Sequence, residues 1–531
     1  MTPPAFIEDS PVDSPAIDTL MPAEVKKDLL SGTSALAVGV TVERGCSFLA
    51  NILAARLGGA ATFGVYALAI STANNISAYA AGGIGSTAIR FSGEHPRGSA
   101  GYPTLARVLA VISSVSALLA AVTLWLGAVP IARLLQKQSV VGALQWAALS
   151  AAGIIMLECC RGFLVGNRRI KALLLLSSLV GAGYLSLLPA MARYGPKQMI
   201  ASQSAVTLGA VLICLLCYRQ LGLTSPTPIK KAEPVGPLLK QVWGFGFVQL
   251  AGLIGMNAAG WWLTTLIARS DSSMVQMGFF AIAHQLRNMV ALAPSLLTEG
   301  SLAVMARRHG HFENTPDNVM AVCAYACTLA SLVLAGLGII VVPWGLVLLY
   351  GQSYAAAGAV TAIALATAVI HMGSAPISAR LSIVSIKATG AINTIWAVFV
   401  ATVATLVLLR GGNAAKGATV YLAGHLLCSI LQIAVLKQRK CIPPGTILAF
   451  TYAVLCALVL AALACVRDAR PGATAWTSAV MSLILAGTIL AMVAIGKRRG
   501  WLPSPDALRA LLSQGLSFVR LRAKIATSTQ P

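Results

Sequence analysis

Residues 53–70, LAARLGGAATFGVYALAI, decide how this chain is organised. One apolar segment, 33–55, ends there and a second, 63–88, begins. Arg56, Gly58 and Gly59 interrupt the hydrophobic run, and Gly64 leads into Val65-Tyr66-Ala67-Leu68. Glycine lacks a Cβ and reaches backbone angles that other residues avoid, so the interruption predicts a tight reversal between two helices. The same pattern returns as Leu266-Ile267-Ala268-Arg269 and then Gly278-Phe279-Phe280-Ala281. Arg56 and Arg269 are 213 residues apart, Gly64 and Gly278 are 214 apart, and Val129-Pro130 stands 213 residues before Val342-Pro343. Three landmarks within one residue of a common offset predict an internal duplication.

Composition sets the class. Of 531 residues, 57% are hydrophobic and 10% are charged, so a water-soluble fold could not cover its own surface. The bilayer must serve as solvent for much of the chain. The formal charge of +23 does not imply nucleic acid as a partner, because the 39 Lys and Arg are spread between apolar runs rather than gathered on one face.

Fourteen apolar segments of about the ~20 residues needed to cross a bilayer follow one another. They lie at 33–55, 63–88, 108–132, 140–165, 172–192, 199–217, 242–268, 276–305, 319–349, 354–375, 388–409, 418–436, 447–466 and 475–495. Pro343 marks an expected interfacial turn in the ninth. The expected fold is an all-α polytopic membrane protein: two six-helix lobes related by a parallel repeat, plus two C-terminal helices. The lobes are 33–219 and 241–437, joined by a cytoplasmic linker at 220–240 that holds Pro226, Pro228, Pro234 and Pro237. Residues 438–500 hold the extra pair.

The two ends differ in character. Residues 1–32, rich in proline and acidic groups, are expected as a disordered cytoplasmic tail without a cleaved signal. At 501–531, Ser504-Pro505-Asp506 forms a helix start, and leucines at helical spacing alternate with Arg509, Arg520, Arg522 and Lys524. This predicts a basic amphipathic helix lying on the membrane surface. With the N-terminus inside, 27 of the 39 Lys and Arg fall in the tails and the even-numbered connections, and 10 fall on the other side. The positive-inside bias therefore places both termini in the cytoplasm.

Two arginines lie near span centres, Arg44 and Arg287, one per lobe. Charge in a bilayer is costly, so intramembrane ionisable groups are functional candidates. Facing a central cavity, this pair would attract an anionic ligand. Glu43 neighbours Arg44, but adjacent residues diverge by about 100° around a helix and need not pair. Glu158 and Arg161, three apart, suit an intrahelical ion pair. Asn74, Asn75 and Asn257 also lie within spans, while Arg56 and Arg269 occupy equivalent outer turns. Glu43 and Glu299 are the carboxylates available for ion coupling. Cys214-x-x-Cys217 lacks companion ligands and is read as packing, and no metal site or cofactor is expected.

The 56–70 stretch, the basic turn Gly166-Asn167-Arg168-Arg169 and the fourteen-span count resemble the polysaccharide-biosynthesis flippases. These belong to the superfamily of multidrug and toxic-compound extruders and lipid II flippases. The resemblance spans roughly 33–500 and implies a V-shaped cavity between two lobes that opens alternately to either side. It implies as cargo an undecaprenyl-pyrophosphate-linked oligosaccharide repeat unit, moved from the cytoplasmic to the periplasmic leaflet of the bacterial inner membrane. Polymerase and chain-length proteins of the same pathway are the implied protein partners, with membrane lipids around them.

Arg44 and Arg287 would then hold the diphosphate, because a guanidinium grips two oxygens at once, and the asparagines would meet sugar hydroxyls. The chain has no GxxxxGK[ST] loop, so no nucleotide would drive turnover. A transporter rather than an enzyme is expected. The alternatives are a cation-coupled multidrug extruder of the same architecture and, further off, a membrane-embedded polysaccharide polymerase or ligase. The latter would need a large catalytic outer loop, and the outer connections here are short.

Overall fold

The computed structural model describes residues 23–216, 234–309 and 318–502, except 96, 98, 444, 471 and 473; among these there is no strand. The all-helical outcome follows from the solvent. A bilayer offers backbone N–H and C=O groups no partner, and only a helix satisfies them within one segment.

In order the helices are α1 (Ala23–Ala81), α2 (Ile84–Glu94), α3 (Tyr102–Leu134), α4 (Val141–Gly166), α5 (Ile170–Ala192), α6 (Pro196–Leu216) and α7 (Val235–Ser270). They continue as α8 (Val275–His309), α9 (Asn318–Tyr350), α10 (Gly358–Val384), α11 (Ile386–Leu408), α12 (Ala414–Gln438), α13 (Thr446–Ala469) and α14 (Thr474–Arg498). Among the described residues, eleven helical stretches are long and apolar enough to cross a membrane. The first of them holds two of the expected spans. With α7 and α8, 36 and 35 residues long, they make up the fourteen. Leucines such as Leu118, Leu126, Leu348 and Leu483 stand on the outer surface, which suits lipid and not water.

Several boundaries differ from the sequence expectation. Helix α1 begins at Ala23, ahead of the expected start at 33, and α7 begins at Val235, inside the expected linker 220–240; residues 1–22, 217–233 and 503–531 lie outside the described part. The second segment ends at Gly82-Gly83, both with positive φ, and restarts as α2 instead of running on to 88. No turn forms at Pro343: α9 runs through it, as α3 does through Pro130. Proline costs one ladder hydrogen bond, and neighbouring helices compensate for that in a membrane bundle.

The predicted reversal is present. Gly59 breaks α1 with φ 74° and ψ 170°, and residues from both arms line one chamber, so the chain doubles back there. The second arm then crosses α8 at the repeat landmark. A Cβ on Gly64 would strike the carbonyl of Met274, and a Cβ on Gly278 would strike that of Ala60. Ala60 and Met274, like Gly64 and Gly278, are 214 residues apart, so the contact is reciprocal: each copy offers its glycine to the other's backbone. Small residues allow such backbone approach between helices in lipid, where no hydrophobic effect drives them together. The duplicated halves therefore meet through equivalent positions on the same face, as a parallel repeat requires.

Two more interlobe contacts share this end. Arg56 donates to the Leu348 carbonyl on α9, and Lys137 donates to the carbonyl of Asp271. The Asp271 carboxylate starts α8, accepting from the Gln276 amide at 2.7 Å and the Ser273 hydroxyl at 2.7 Å. Burial pushes this carboxyl up, but those hydrogen bonds and Lys137 outweigh it and hold it below the usual range. At the far end of the second arm, Gly82 and Gly246 of α7 also meet, with a Cβ on Gly246 falling 3.0 Å from the Gly82 carbonyl. Arg90 lies 4.6 Å from the Phe245 ring centroid, and Phe91 packs edge-on to Phe245 at 6.2 Å.

The last pair docks on the C-terminal half. Buried Arg467 of α13 donates to the carbonyls of Ile339 and Ile340 at 3.2 and 3.1 Å, and Tyr325 donates to Met492 of α14 at 3.0 Å.

A cysteine replacing Asn74 tests the closure at Gly64. Aqueous maleimide added on the Gly59 side should leave it unlabelled, above the background of the parent protein, and should label it once Gly64→Val is added. Equal labelling in both proteins would mean that the glycine contact does not seal that end.

Candidate functional site

Between the two contact zones lie two adjoining chambers of about 710 and 260 Å³. Both arms of α1 and helix α8 wall the larger one, which α5 and α6 complete with Tyr184 and Gln203. Asn51, Asn74, Gln285 and Asn288 give it a polar lining, and Arg44 is the only permanently charged side chain among its described lining residues. The smaller chamber is lined by Asn74, Asn75, Asn257, Trp261, His284 and Tyr421. Ser71, Asn74, Thr264, Phe280 and His284 are common to both, so the two communicate.

Much of the wall is fixed by hydrogen bonds. Tyr66 donates to Gln203 at 2.6 Å, Gln285 donates to the Phe48 carbonyl at 3.1 Å, and Trp261 donates to the Thr72 hydroxyl at 3.1 Å. The last two cross between lobes.

Of the expected site residues, Arg44, Asn74, Asn75 and Asn257 line these chambers. Glu43 does not. It accepts from Arg161, whose other nitrogen donates to Glu158 at 2.8 Å, which is the intrahelical pair expected from the i, i+3 spacing. The 100° offset explains the split: Glu43 turns into the N-terminal lobe and Arg44 is left exposed, without an ion pair among the described residues. Arg287 also departs from the expected cavity wall. It is 7% exposed, lies 4.9 Å from the centroid of Tyr421, and bonds Asn288 at 3.3 Å. His284, one turn earlier on α8, occupies the wall in its place. Arg56 belongs to the contact at the Gly59 end, Arg269 sits in the last turn of α7 away from both linings, and Glu299 is exposed farther along α8.

Sequence reasoning did not single out Tyr66, Tyr184, Gln203, Trp261 or Tyr421 as site residues. Tyr66 sits inside the organising stretch, and the Trp261-Trp262 pair interrupts an apolar run, so both left a signal. Gln203, an amide inside the expected span 199–217, left the same signal as the asparagines, whereas Tyr184 left none.

Chemically, a polar, water-accessible chamber with a guanidinium and no carboxylate in its described lining favours an anion. Amide groups and exposed aromatic faces alongside suit a polyhydroxylated group.

Among known proteins, the sequence model of the polysaccharide biosynthesis protein family matches residues 29–298. No curated protein matches by sequence. The fold is similar to that of the lipid II flippase MurJ in an inward closed conformation, with TM-score 0.62 and 11% identity over 87% of this chain and 99% of that one. It is also similar to an inward-facing multidrug resistance MATE family transporter of the MOP superfamily, with TM-score 0.59 and 14% identity over 76% of this chain and 98% of that one.

The ion pairs separate two roles by stability. Arg161→Ala leaves Glu43 uncompensated and should destabilise the protein by on the order of 2 kcal/mol, with Glu43→Gln restoring part of the loss. Arg44→Ala should leave the melting temperature unchanged. A large drop with Arg44→Ala would assign that residue to structure.

Proposed function

The chain belongs to the polysaccharide biosynthesis protein family, and on that premise we propose that it flips an undecaprenyl-pyrophosphate-linked oligosaccharide repeat unit across the bacterial inner membrane. The observation that carries the proposal is the chamber between the lobes, with Arg44 in a polar wall free of described acidic residues. In this reading Arg44 binds the diphosphate, while Asn74, Asn75 and Asn257 meet sugar hydroxyls and Trp261 offers a stacking face. The prenyl tail stays in lipid.

Contacts hold both ends of the chamber, so transport requires them to part in turn. Parting the Gly64–Gly278 seam opens the end expected to face the periplasm. Parting Gly82–Gly246 and the Arg90–Phe245 stack opens the cytoplasmic end. Rigid lobes rocking about a fixed site give alternating access. A multidrug extruder, the second reading, shares the architecture, but organic cations gain little from a wall whose one fixed charge among the described lining residues is positive.

Complementation tests this. In cells lacking their own repeat-unit flippase, Arg44→Ala should lower surface glycan by about tenfold or more at equal membrane abundance, and Arg44→Lys should recover part of it, since lysine keeps the charge but loses the fork. Full export by Arg44→Ala would remove the diphosphate role.

A further inference from the structure

The C-terminal lobe holds a cluster that the cargo reading does not use. His371 of α10 and His425 of α12 have ring centroids 4.6 Å apart, Tyr421 lies 4.7 Å from His425, and His284 of α8 lies 6.0 Å from Tyr421. Trp396 of α11 closes the group, 5.6 Å from His425. Arg287 stacks on the same Tyr421. The Nε and Nη1 of Arg287, the Nε2 of His425 and the Nε1 of Trp396 are buried without hydrogen-bond partners.

Among the described residues, the surrounding groups supply no negative charge. From α8 the facing groups are Arg287 and Asn288, and from α12 they are Tyr421 and, two turns on, Cys428, which Gln432 engages. Helix α13 faces α10 with Phe450, and α9 faces it with Thr328. The α9 cysteines, Cys323 and Cys327, meet α8 farther along, at Leu297 and Pro294. Helix α7 brings Asn257 and Trp261 to the smaller chamber. Across the large chamber from His284 stand Arg44, Tyr66 and Tyr184. Among the described residues no carboxylate pairs with Arg287, and Glu299, on the same helix, is twelve residues away and exposed.

Arg287, His371, His425 and Trp396 line neither of these two chambers. A proton bound among them needs no chamber of its own. His284 and Tyr421 are the members that do reach a chamber wall. A second positive charge beside unpaired Arg287 is disfavoured in this low-dielectric interior until an anion stands nearby.

We propose that the His284–His371–His425 cluster is a proton-binding site that fills when an anionic diphosphate enters the adjoining chamber, presenting an imidazolium at His284 across from Arg44. This rests on the cargo reading above. The proton comes from water onto an imidazole nitrogen and returns to water when the anion leaves; no other bond changes. Linkage is reciprocal, so the bound proton tightens anion binding by the factor with which the anion tightens proton binding. Anion affinity therefore falls as pH rises through the range where the anion-bound cluster loses its proton.

Calorimetry on the purified full chain tests this with a short-chain prenyl diphospho-N-acetylglucosamine, a diphosphate diester whose phosphates do not titrate near neutrality. Binding heats measured near about pH 7 in two buffers of different ionisation enthalpy count the protons exchanged. The wild-type protein should take up about one proton per probe bound, and His371→Gln and His425→Gln should each bind the probe with that uptake at least halved. Binding by the wild type without proton uptake overturns this proposal and leaves the cargo reading intact. Uptake unchanged in both folded variants also overturns it. A probe that does not bind the wild type at all overturns the cargo reading, and the proton site with it.

Discussion

Everything about the cavity depends on how closely two backbones approach where Gly64 meets Met274 and Gly278 meets Ala60. A methyl group at either glycine would fill the space that the opposing carbonyl occupies. Lipid tails are as apolar as the helices, so what holds the lobes there is packing and a few polar contacts, namely Arg56 with the Leu348 carbonyl and Lys137 with that of Asp271. Such a seam is firm enough to close one end and weak enough to part. Because it is built from equivalent positions of a duplicated sequence, it lies where a two-fold axis between the lobes would run. The chamber sits directly beside it.

Charge is sorted with the same economy. The N-terminal lobe neutralises Glu43 internally through Arg161, which leaves Arg44 as the fixed charge in the large chamber's described lining. In the C-terminal lobe Arg287 is withdrawn behind Tyr421 and surrounded by imidazoles instead of carboxylates. The two span-centre arginines are thus not equivalent: one lines the chamber and the other lies behind its wall, against Tyr421. On the proposed function, such a site would select anions without trapping them permanently, its second cation being conditional on a proton.

The sequence made the architecture legible wherever hydrophobic length was the signal. The expected segments 140–165 and 172–192 match α4 and α5 to within about two residues, and the Gly59 break and the repeat offset were both visible. Helix ends were less so, because α9 carries its helix through Pro343, where neighbouring helices rather than local sequence decide the outcome. Span position pointed to Arg44, Asn74, Asn75 and Asn257, which line the chambers, but could not say which way Arg287 turned. That depends on where α10 and α12 stand around α8. The histidine cluster was out of reach for the same reason: its members sit on three helices far apart in sequence, and only packing brings them together.

The most direct test of the alternating cavity is the distance between its lobes at the seam end. Tyr194, in the connection from α5 to α6 of the N-terminal lobe, and Trp476, at the start of α14 in the pair docked on the C-terminal lobe, are both well exposed and suit spin labels. Pulsed electron–electron resonance on the full chain in liposomes, with and without a short-chain prenyl diphosphosugar, should show a second, longer distance population when the probe is present. That population should persist without probe when Gly64→Val forces the seam apart. A single distance that neither the probe nor the glycine substitution changes would contradict a seam that opens.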